Sequence, residues 1–187
     1  MFKKQNAIVN IRYLLLLFIF LPVIVRSQLH ADFTATPVSG CAPMIITFKD
    51  TSTGNPTSWR WEFGNGSFSE GIQNPTATYN NPGSYSVKLV IRNGRGIDSA
   101  IKNQFITVNA LPVPDFAASA TTGCFPLKVN FKDLSLPGSG TITSWEWDFG
   151  DGAISSEQNP VHTYTLAGNF RVILKVTNSN GCVQVIS

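Results

Sequence analysis

The clearest pattern in the chain is a strict alternation of aromatic and charged residues that occurs twice. Residues 59–63 read Trp-Arg-Trp-Glu-Phe, and residues 145–149 read Trp-Glu-Trp-Asp-Phe. In an extended strand, side chains at alternate positions share one face, so the three rings of each copy point to the same side. Each copy therefore predicts a strand with a buried aromatic face. An Asn-Gly or Asp-Gly pair follows each copy and favours a tight turn at the end of the strand.

The sequence on both sides of these strands also repeats. Cys41 matches Cys124 at a spacing of 83 residues, and Tyr79 matches Tyr164 at a spacing of 85. Between these blocks the second copy gains three residues, within residues 136–143, and loses one residue after the aromatic strand, which gives the net change of two. Length changes that fall between matched blocks are typical of surface loops. The repeat therefore predicts two copies of one domain.

The remaining apolar pattern is of β type. Apolar and polar residues alternate over residues 45–50 and 84–91, and clusters of Gly, Pro, Asn and Ser separate such runs. No stretch after the N-terminal segment keeps a helical period over about a dozen residues. Short strands in units of about 80 residues predict an all-β chain with two tandem immunoglobulin-like β-sandwiches. We assign residues 28–110 and 115–187 to these domains, with a short, stiff linker at residues 111–114 that contains two prolines.

The N-terminal segment has the pattern of a secretory signal peptide. Three basic residues precede an apolar run over residues 13–25, which is short for a membrane span. Cleavage after Ser27 defines residues 1–27 as the signal peptide. The alternative is an uncleaved membrane anchor, and Arg26 interrupts the apolar run just before the cleavage site. Cleavage predicts a secreted or cell-surface protein that contacts the membrane only during export.

Removing the signal peptide changes the charge of the chain. The sequence holds 14 Lys and Arg against 11 Asp and Glu, a formal net charge of +3. Four of these basic residues and none of the acidic ones lie in residues 1–27, so 10 basic against 11 acidic residues leave a net charge of −1. No basic stripe remains to follow a phosphate backbone, which argues against nucleic acid as a partner.

Three segments of the second copy form a specific set of motifs. They are Trp147-Asp148-Phe149-Gly150-Asp151-Gly152, Asn159-Pro160-Val161-His162-Thr163-Tyr164, and Gly168-Asn169-Phe170-Arg171-Val172. With these motifs the chain resembles the PKD (polycystic kidney disease) domain family, which implies an immunoglobulin-like β-sandwich for each copy. The first copy departs from the family pattern at Glu62 and Asn65, where Asp is expected, and at Ala77, where His is frequent. It keeps the aromatic residues, the glycines and the turn spacing.

The resemblance extends to PKD repeats that begin Gly-Cys-x-Pro in long surface or secreted chains of Bacteroidota. It implies an extracellular spacing or interaction role with no chemistry of its own. In this fold Cys124 precedes one strand, and Cys182 follows a strand that could lie near it. Because a secreted protein meets an oxidising compartment, we expect a Cys124–Cys182 disulfide, with Ile97 in place of the second cysteine in the first copy. Cys41 is then unpaired, and it could be buried, reactive or bonded to another chain.

The sequence offers little material for catalysis or metal binding, and we expect no catalytic residue, cofactor or metal ion. A Ser-His-Asp arrangement would have to use His30, near the mature N-terminus, or His162, which alanine replaces in the first copy. Glu146, Asp148 and Asp151 could gather a calcium ion. The first two lie on the strand face opposite the aromatic rings, however, and the turn accounts for Asp151, so a structural role is favoured.

Two functions fit these observations. The first is a non-enzymatic spacer or adhesion module that contacts extracellular protein or polysaccharide, with Trp59 and Trp145 as candidates for carbohydrate contact, although core packing also explains both. The second is a pair of accessory domains of a secreted protease or glycoside hydrolase whose catalytic domain lies outside this chain. By the repeat spacing Ser187 corresponds to Lys102, so we also expect a second domain that lacks part of its last strand, in a fragment of a longer protein.

Overall fold

All regular structure in the described part of the chain is β-structure. The computed structural model describes residues 28–187, which form strands β1 to β15 and contain no helix. Accordingly, this part of the chain holds no helix that could cross a membrane. The predicted fold class, two tandem immunoglobulin-like β-sandwiches, is confirmed. The predicted signal peptide, residues 1–27, lies outside the described residues.

The first domain consists of two sheets built from eight strands. The strands are β1 (Phe33–Thr36), β2 (Ser39–Cys41), β3 (Met44–Asp50), β4 (Ser58–Glu62), β5 (Phe68–Glu70), β6 (Thr76–Tyr79), β7 (Gly83–Asn93) and β8 (Gly96–Asn109). One sheet has the order β1-β3-β6, and the other has the order β2-β8-β7-β4-β5. Neighbouring strands are antiparallel except β2 and β8, which run parallel.

The second domain repeats this arrangement with seven strands. They are β9 (Phe116–Ala118), β10 (Leu127–Asp133), β11 (Ile142–Asp148), β12 (Ile154–Ser155), β13 (Val161–Tyr164), β14 (Ile173–Asn178) and β15 (Val183–Ile186). The two sheets have the orders β13-β10-β9 and β12-β11-β14-β15. The predicted aromatic strands are β4 and β11. β4 pairs with β7, and β11 pairs with β14, which is the second-to-last strand of its domain, as β7 is.

The sheets of each domain enclose a separate aromatic core. Trp61 and Trp147 are 0% and 1% exposed, and the phenylalanines two residues after them are buried as well. Trp61 packs edge-on against Phe33 with 5.3 Å between ring centroids, and Trp147 packs against Phe116 at the same distance. The alternation of aromatic and charged residues therefore identified the buried face of both strands.

The two domains differ most at their last strand. β8 has 14 residues and β15 has 4. The end of β8 pairs with residues 83–85 and buries Ile106 and Val108. In the second domain β15 ends at Ile186, and residues 168–170, the counterparts of 83–85, lie outside a strand. The end of β8 has a second partner, β2, and this pairing shapes the junction between the domains.

Candidate functional site at the domain junction

A short parallel strand places a cysteine where the chain leaves the first domain. β2 pairs with the end of β8, so that Cys41 lies opposite Asn109. The Ala42 backbone N–H donates a hydrogen bond to the Asn109 carbonyl over 3.0 Å. Because the chain passes directly from β8 towards the second domain, this pairing holds Cys41 at the domain boundary.

A disulfide bond crosses this boundary. Cys41 is bonded to Cys182, with 5.6 Å between their Cα atoms, and Cys182 is 1% exposed. Cys124 is an exposed free thiol. The predicted Cys124–Cys182 pairing is therefore wrong, and so is the expectation of an unpaired Cys41. The reason is that β2 pairs with the end of β8, where the chain leaves the first domain. Cys41 therefore lies next to the second domain and bonds to a cysteine of that domain.

One buried side chain connects the β14–β15 turn, which contains Cys182, to the segment that follows β8. Asn178 is 1% exposed, and its Oδ1 accepts hydrogen bonds from the backbone N–H groups of Asn180, over 3.1 Å, and Cys182, over 2.9 Å. Its Nδ2 donates to the carbonyls of Ala110, over 3.3 Å, and Pro137, over 3.0 Å. A buried amide that is satisfied at both ends has a fixed orientation. Asn178 therefore ties together the β14–β15 turn, the segment that follows β8 and a loop of the second domain.

The loop that contains the three inserted residues, 136–143, forms the other side of the junction. Ser139 Oγ accepts a hydrogen bond from the Ala110 N–H over 2.9 Å. Gly138 has a φ of 66°, and a Cβ atom at this position would lie 2.2 Å from the Leu111 carbonyl oxygen. Only glycine tolerates both the conformation and this close approach. The inserted loop thus contacts the chain segment that joins the domains.

The segment between the domains is also held by backbone pairing. Val113 and Leu136 form an antiparallel bridge, with N–H to carbonyl distances of 2.8 and 2.9 Å. Sequence reasoning missed the roles of Ser139 and Asn178. Two signals could have found this junction: the insertion in one loop, and the replacement of the second cysteine by Ile97 in the first copy only.

The two tryptophans considered for carbohydrate contact are partly buried and pack against the cores. The Trp145 indole N–H donates to Asp133 Oδ2 over 2.7 Å, and the Gln158 side chain donates to the same oxygen over 3.1 Å. In the first domain Trp59 and Asp50 repeat this contact, also at 2.7 Å. The indole N–H groups are thus used within each domain.

The hydrogen bonds to these carboxylates keep them ionised. Burial raises the pKa of Asp133, but hydrogen bonds from Ser135, Gln158 and Trp145 outweigh burial, and its pKa lies below the ordinary 3.8. The pKa of Asp50 is lowered in the same way. Each domain therefore contains a partly buried carboxylate that accepts several hydrogen bonds and anchors a tryptophan.

The comparison with protein families agrees with the repeat. A model described as the PKD domain matches residues 30–108 and again residues 109–187. The chain belongs to the PKD domain family.

Parts of the chain are similar to small parts of long proteases. Collagenase ColQ1 from Bacillus cereus is 46% identical over 54 residues, which cover 28% of this chain and 6% of the collagenase. Pre-pro-metalloprotease PrtV from Vibrio cholerae is 37% identical over 75 residues, which cover 40% of this chain and 8% of the protease. This chain therefore matches only a small fraction of the length of those proteins.

Solved PKD domains are similar to single domains of the chain. The PKD1 domain of Vibrio anguillarum Epp has 35% sequence identity and a TM-score of 0.37, and the match covers 42% of this chain and 88% of that domain. The PKD1 domain of the Vibrio cholerae metalloprotease PrtV has 34% identity and a TM-score of 0.36, and the match covers 41% of this chain and 89% of that domain.

The carboxylates considered for calcium have separate partners in the second PKD domain. Glu146 pairs with Lys175 at 2.9 Å, Asp148 accepts a hydrogen bond from a backbone N–H of the turn over 2.9 Å, and Asp151 pairs with His162 at 2.7 Å. Within residues 28–187 no group of three or more His, Cys, Asp or Glu side chains is arranged to hold a metal ion. Each of these carboxylates is therefore used in a contact within the second domain.

The two PKD domains differ at this histidine. The His162 ring stacks on Phe149 with 4.3 Å between centroids, and the His162 and Asp151 side chains are 14% and 22% exposed. The first PKD domain has Ala77 and Asn65 at these positions, and Asn65 Nδ2 instead donates to a β6 carbonyl over 3.0 Å. The polar contact of the family pattern is replaced, and the turn is still held against β6.

A cleft lies beside β5 and β6 of the first PKD domain. Its volume is about 610 Å³, and its lining includes Phe68, Ile72 and Ala77. Phe68 and Ile72 are exposed apolar residues. Since the counterpart of Ala77 is the stacked His162, the small alanine side chain distinguishes this cleft from the same place in the second PKD domain.

Proposed function

We propose that this chain is a non-enzymatic extracellular segment in which two PKD domains act as a spacer of fixed shape. The observation that carries the proposal is the Cys41–Cys182 disulfide across the domain boundary. Domains joined by a short linker usually reorient relative to each other unless a large interface restrains them. Here a covalent bond, the buried Asn178 amide and the Ser139 contact act at the same boundary. A spacer needs such a boundary, because it must hold its two ends at a fixed separation.

An extracellular location is supported by two independent features. Disulfide bonds form and persist in oxidising compartments, and two of the three cysteines of this chain form a disulfide bond. The expected signal peptide, residues 1–27, provides the route of export. The spacer therefore works at the cell surface or after secretion.

The spacer could also adhere to an extracellular protein or polysaccharide. The surfaces that support this role are the partly exposed Trp59 and Trp145 and the cleft next to Phe68. Aromatic rings provide apolar contact area for such ligands. Because no enzyme activity is involved, the role is tested by binding alone.

The binding test is retention of the purified protein on insoluble polysaccharides. A pure spacer predicts no retention. Retention that is lost in Trp145→Ala but kept in Trp145→Phe, which preserves an aromatic ring, would instead show adhesion through that ring. Circular dichroism of both variants controls for folding, since each also loses the hydrogen bond to Asp133.

A second candidate function is service as accessory domains of a secreted protease or glycoside hydrolase. The observation that favours it is the 46% identity to a segment of collagenase ColQ1. Cosedimentation with collagen fibrils tests this alternative directly. Binding to fibrils, with no retention on polysaccharide, would support the accessory role and exclude a spacer without binding partners, and no binding to fibrils would count against the accessory role.

A further inference from the structure

The exposed thiol of the second PKD domain stands where the disulfide-bonded cysteine stands in the first. Cys124 follows Cys41 by the repeat spacing of 83 residues, and a glycine precedes both. A Cβ atom on Gly40 would lie 2.7 Å from Met44 Sδ, and a Cβ atom on Gly123 would lie 2.6 Å from Leu127 Cδ1. Each glycine therefore packs against the first residue of the next strand, β3 or β10. The two loops follow the same local path and present their cysteines alike.

The surroundings of the two cysteines differ. In the first domain β2 pairs with the end of β8, and Ala42 packs against the core. In the second domain the counterpart of Ala42 is Phe125, which is 62% exposed beside the exposed Cys124. Cys124 and Phe125 therefore lie exposed at the place where, in the first domain, β2 pairs with β8 and Cys41 is bonded.

The positions of the cysteines predict which cysteine the partner of Cys124 must contain. The bond in this chain joins a cysteine just before β3 of the first domain (the Cys41 type) to a cysteine in the turn before the last strand of the following domain (the Cys182 type). Ile97 occupies the Cys182 position of the first domain, so that domain offers only the first type. The second domain offers both types, and its Cys182 is used by the first domain. Cys124 is left as a thiol of the first type with its surface uncovered.

We infer that Cys124 is the attachment point for a further PKD domain that carries a cysteine in the turn of the Cys182 type. That turn reads Asn178-Ser179-Asn180-Gly181-Cys182 in this chain, so the partner is recognised by an Asn-x-x-Gly-Cys turn. The inference rests on the proposed spacer function, since it takes the disulfide-bonded boundary as a unit that repeats. The bond extends the fixed arrangement of two domains to three.

Formation of this bond requires an oxidant. The Cys124 thiol and the partner thiol lose two protons and two electrons as their sulfur–sulfur bond forms. A small-molecule disulfide such as glutathione disulfide accepts them, and its own sulfur–sulfur bond breaks to give two thiols.

The test extends the full chain beyond Ser187 with a copy of residues 103–187. By the repeat spacing Ser187 corresponds to Lys102, so the copy supplies the end of a β8-type strand, a linker and a third domain. The protein is oxidised with glutathione disulfide, and unreduced peptides are mapped by mass spectrometry. The expected result is a bond between Cys124 and the cysteine copied from Cys182. Alkylation of Cys124 is expected to fall by about tenfold or more relative to a matched control in which that copied cysteine is isoleucine, as at position 97.

A second extension replaces the cysteine copied from Cys124 with serine, which removes the competing thiol of the third domain. The indole N–H signals of the copied tryptophans show by NMR that each extension has folded. A Cys124 thiol that stays free in both extensions, or a bond between the two cysteines of the third domain, would overturn the inference. The same peptide map reports Cys41–Cys182 separately, so failure at Cys124 is distinguished from failure of the boundary on which the spacer function depends.

Discussion

At the scale of single residues, each PKD domain is stabilised by a partly buried, ionised carboxylate that accepts several hydrogen bonds. Asp133 accepts hydrogen bonds from Trp145, Gln158 and Ser135, which lower its pKa below 3.8 although burial raises it. The stabilisation is complete above the ordinary pKa, because the carboxylate is then ionised in both the folded and the unfolded chain. It is lost as the pH falls through the lowered pKa of the folded state, where the unfolded chain binds more protons.

We predict that Asp133→Asn lowers the free energy of unfolding by about 1–3 kcal/mol at neutral pH, because the indole N–H loses a charged acceptor. The variant should also lose less stability than the wild type on acidification from about pH 5 to pH 2. Urea unfolding in a pH series measures both effects. Glu157→Gln, which changes an exposed carboxylate, is the control. An unchanged acid dependence in the Asp133 variant would refute the assignment.

His162 provides a second test at this scale. We predict that His162→Ala, which gives the second domain the residue found at Ala77, destabilises that domain by about 1–2 kcal/mol through loss of the Phe149 stacking and the Asp151 contact. Thermal unfolding measures the change. His30→Ala, at a side chain that is 74% exposed, should shift stability by less than about 0.5 kcal/mol. Equal effects of the two substitutions would contradict a structural role for His162.

At the scale of secondary-structure elements, the pairing of β2 with the end of β8 and the β14–β15 turn determine the junction. Alternation and turn residues predicted the aromatic strands and both sandwiches, because one buried face fixes the register of a strand. They did not predict that β2 lies parallel to the end of β8. Such pairing joins segments more than 60 residues apart, 39–41 and 107–109, and leaves no local pattern. The incorrect cysteine pairing follows from this missing contact.

The repeat supplies a matched pair of variants for the junction. Asn178 contacts Ala110, which directly follows β8 where the domains meet, whereas its counterpart Asn93 donates to Gly54 within its own domain. We predict that each Asn→Ala substitution costs about 1–3 kcal/mol, because buried partners lose hydrogen bonds. Only Asn178→Ala should increase motion between the domains once the disulfide is reduced. Residual dipolar couplings of the reduced variants measure that motion, and the same increase in Asn93→Ala would contradict the role given to Asn178.

At the scale of the whole molecule, a covalent bond and a hydrogen-bonded boundary join the two PKD domains. The repeat and the family resemblance predicted the number and type of domains, since both depend on patterns within a domain. The boundary depends on the Cys41–Cys182 bond and on the contacts of Asn178 and Ser139 with Ala110, which no pattern within one copy predicts. The two copies differ at the insertion within residues 136–143 and at Ile97, which replaces the second cysteine. These two differences indicate the boundary more directly than any single motif.

We propose that the two PKD domains move as one body. Nitrogen-15 NMR relaxation gives a rotational correlation time for the amide groups of each domain separately. We predict one common correlation time for both domains in the oxidised protein, and two shorter, different values in a Cys41→Ser, Cys182→Ser variant. Two independent correlation times in the oxidised protein, with the Cys41–Cys182 bond verified by mass spectrometry, would contradict it.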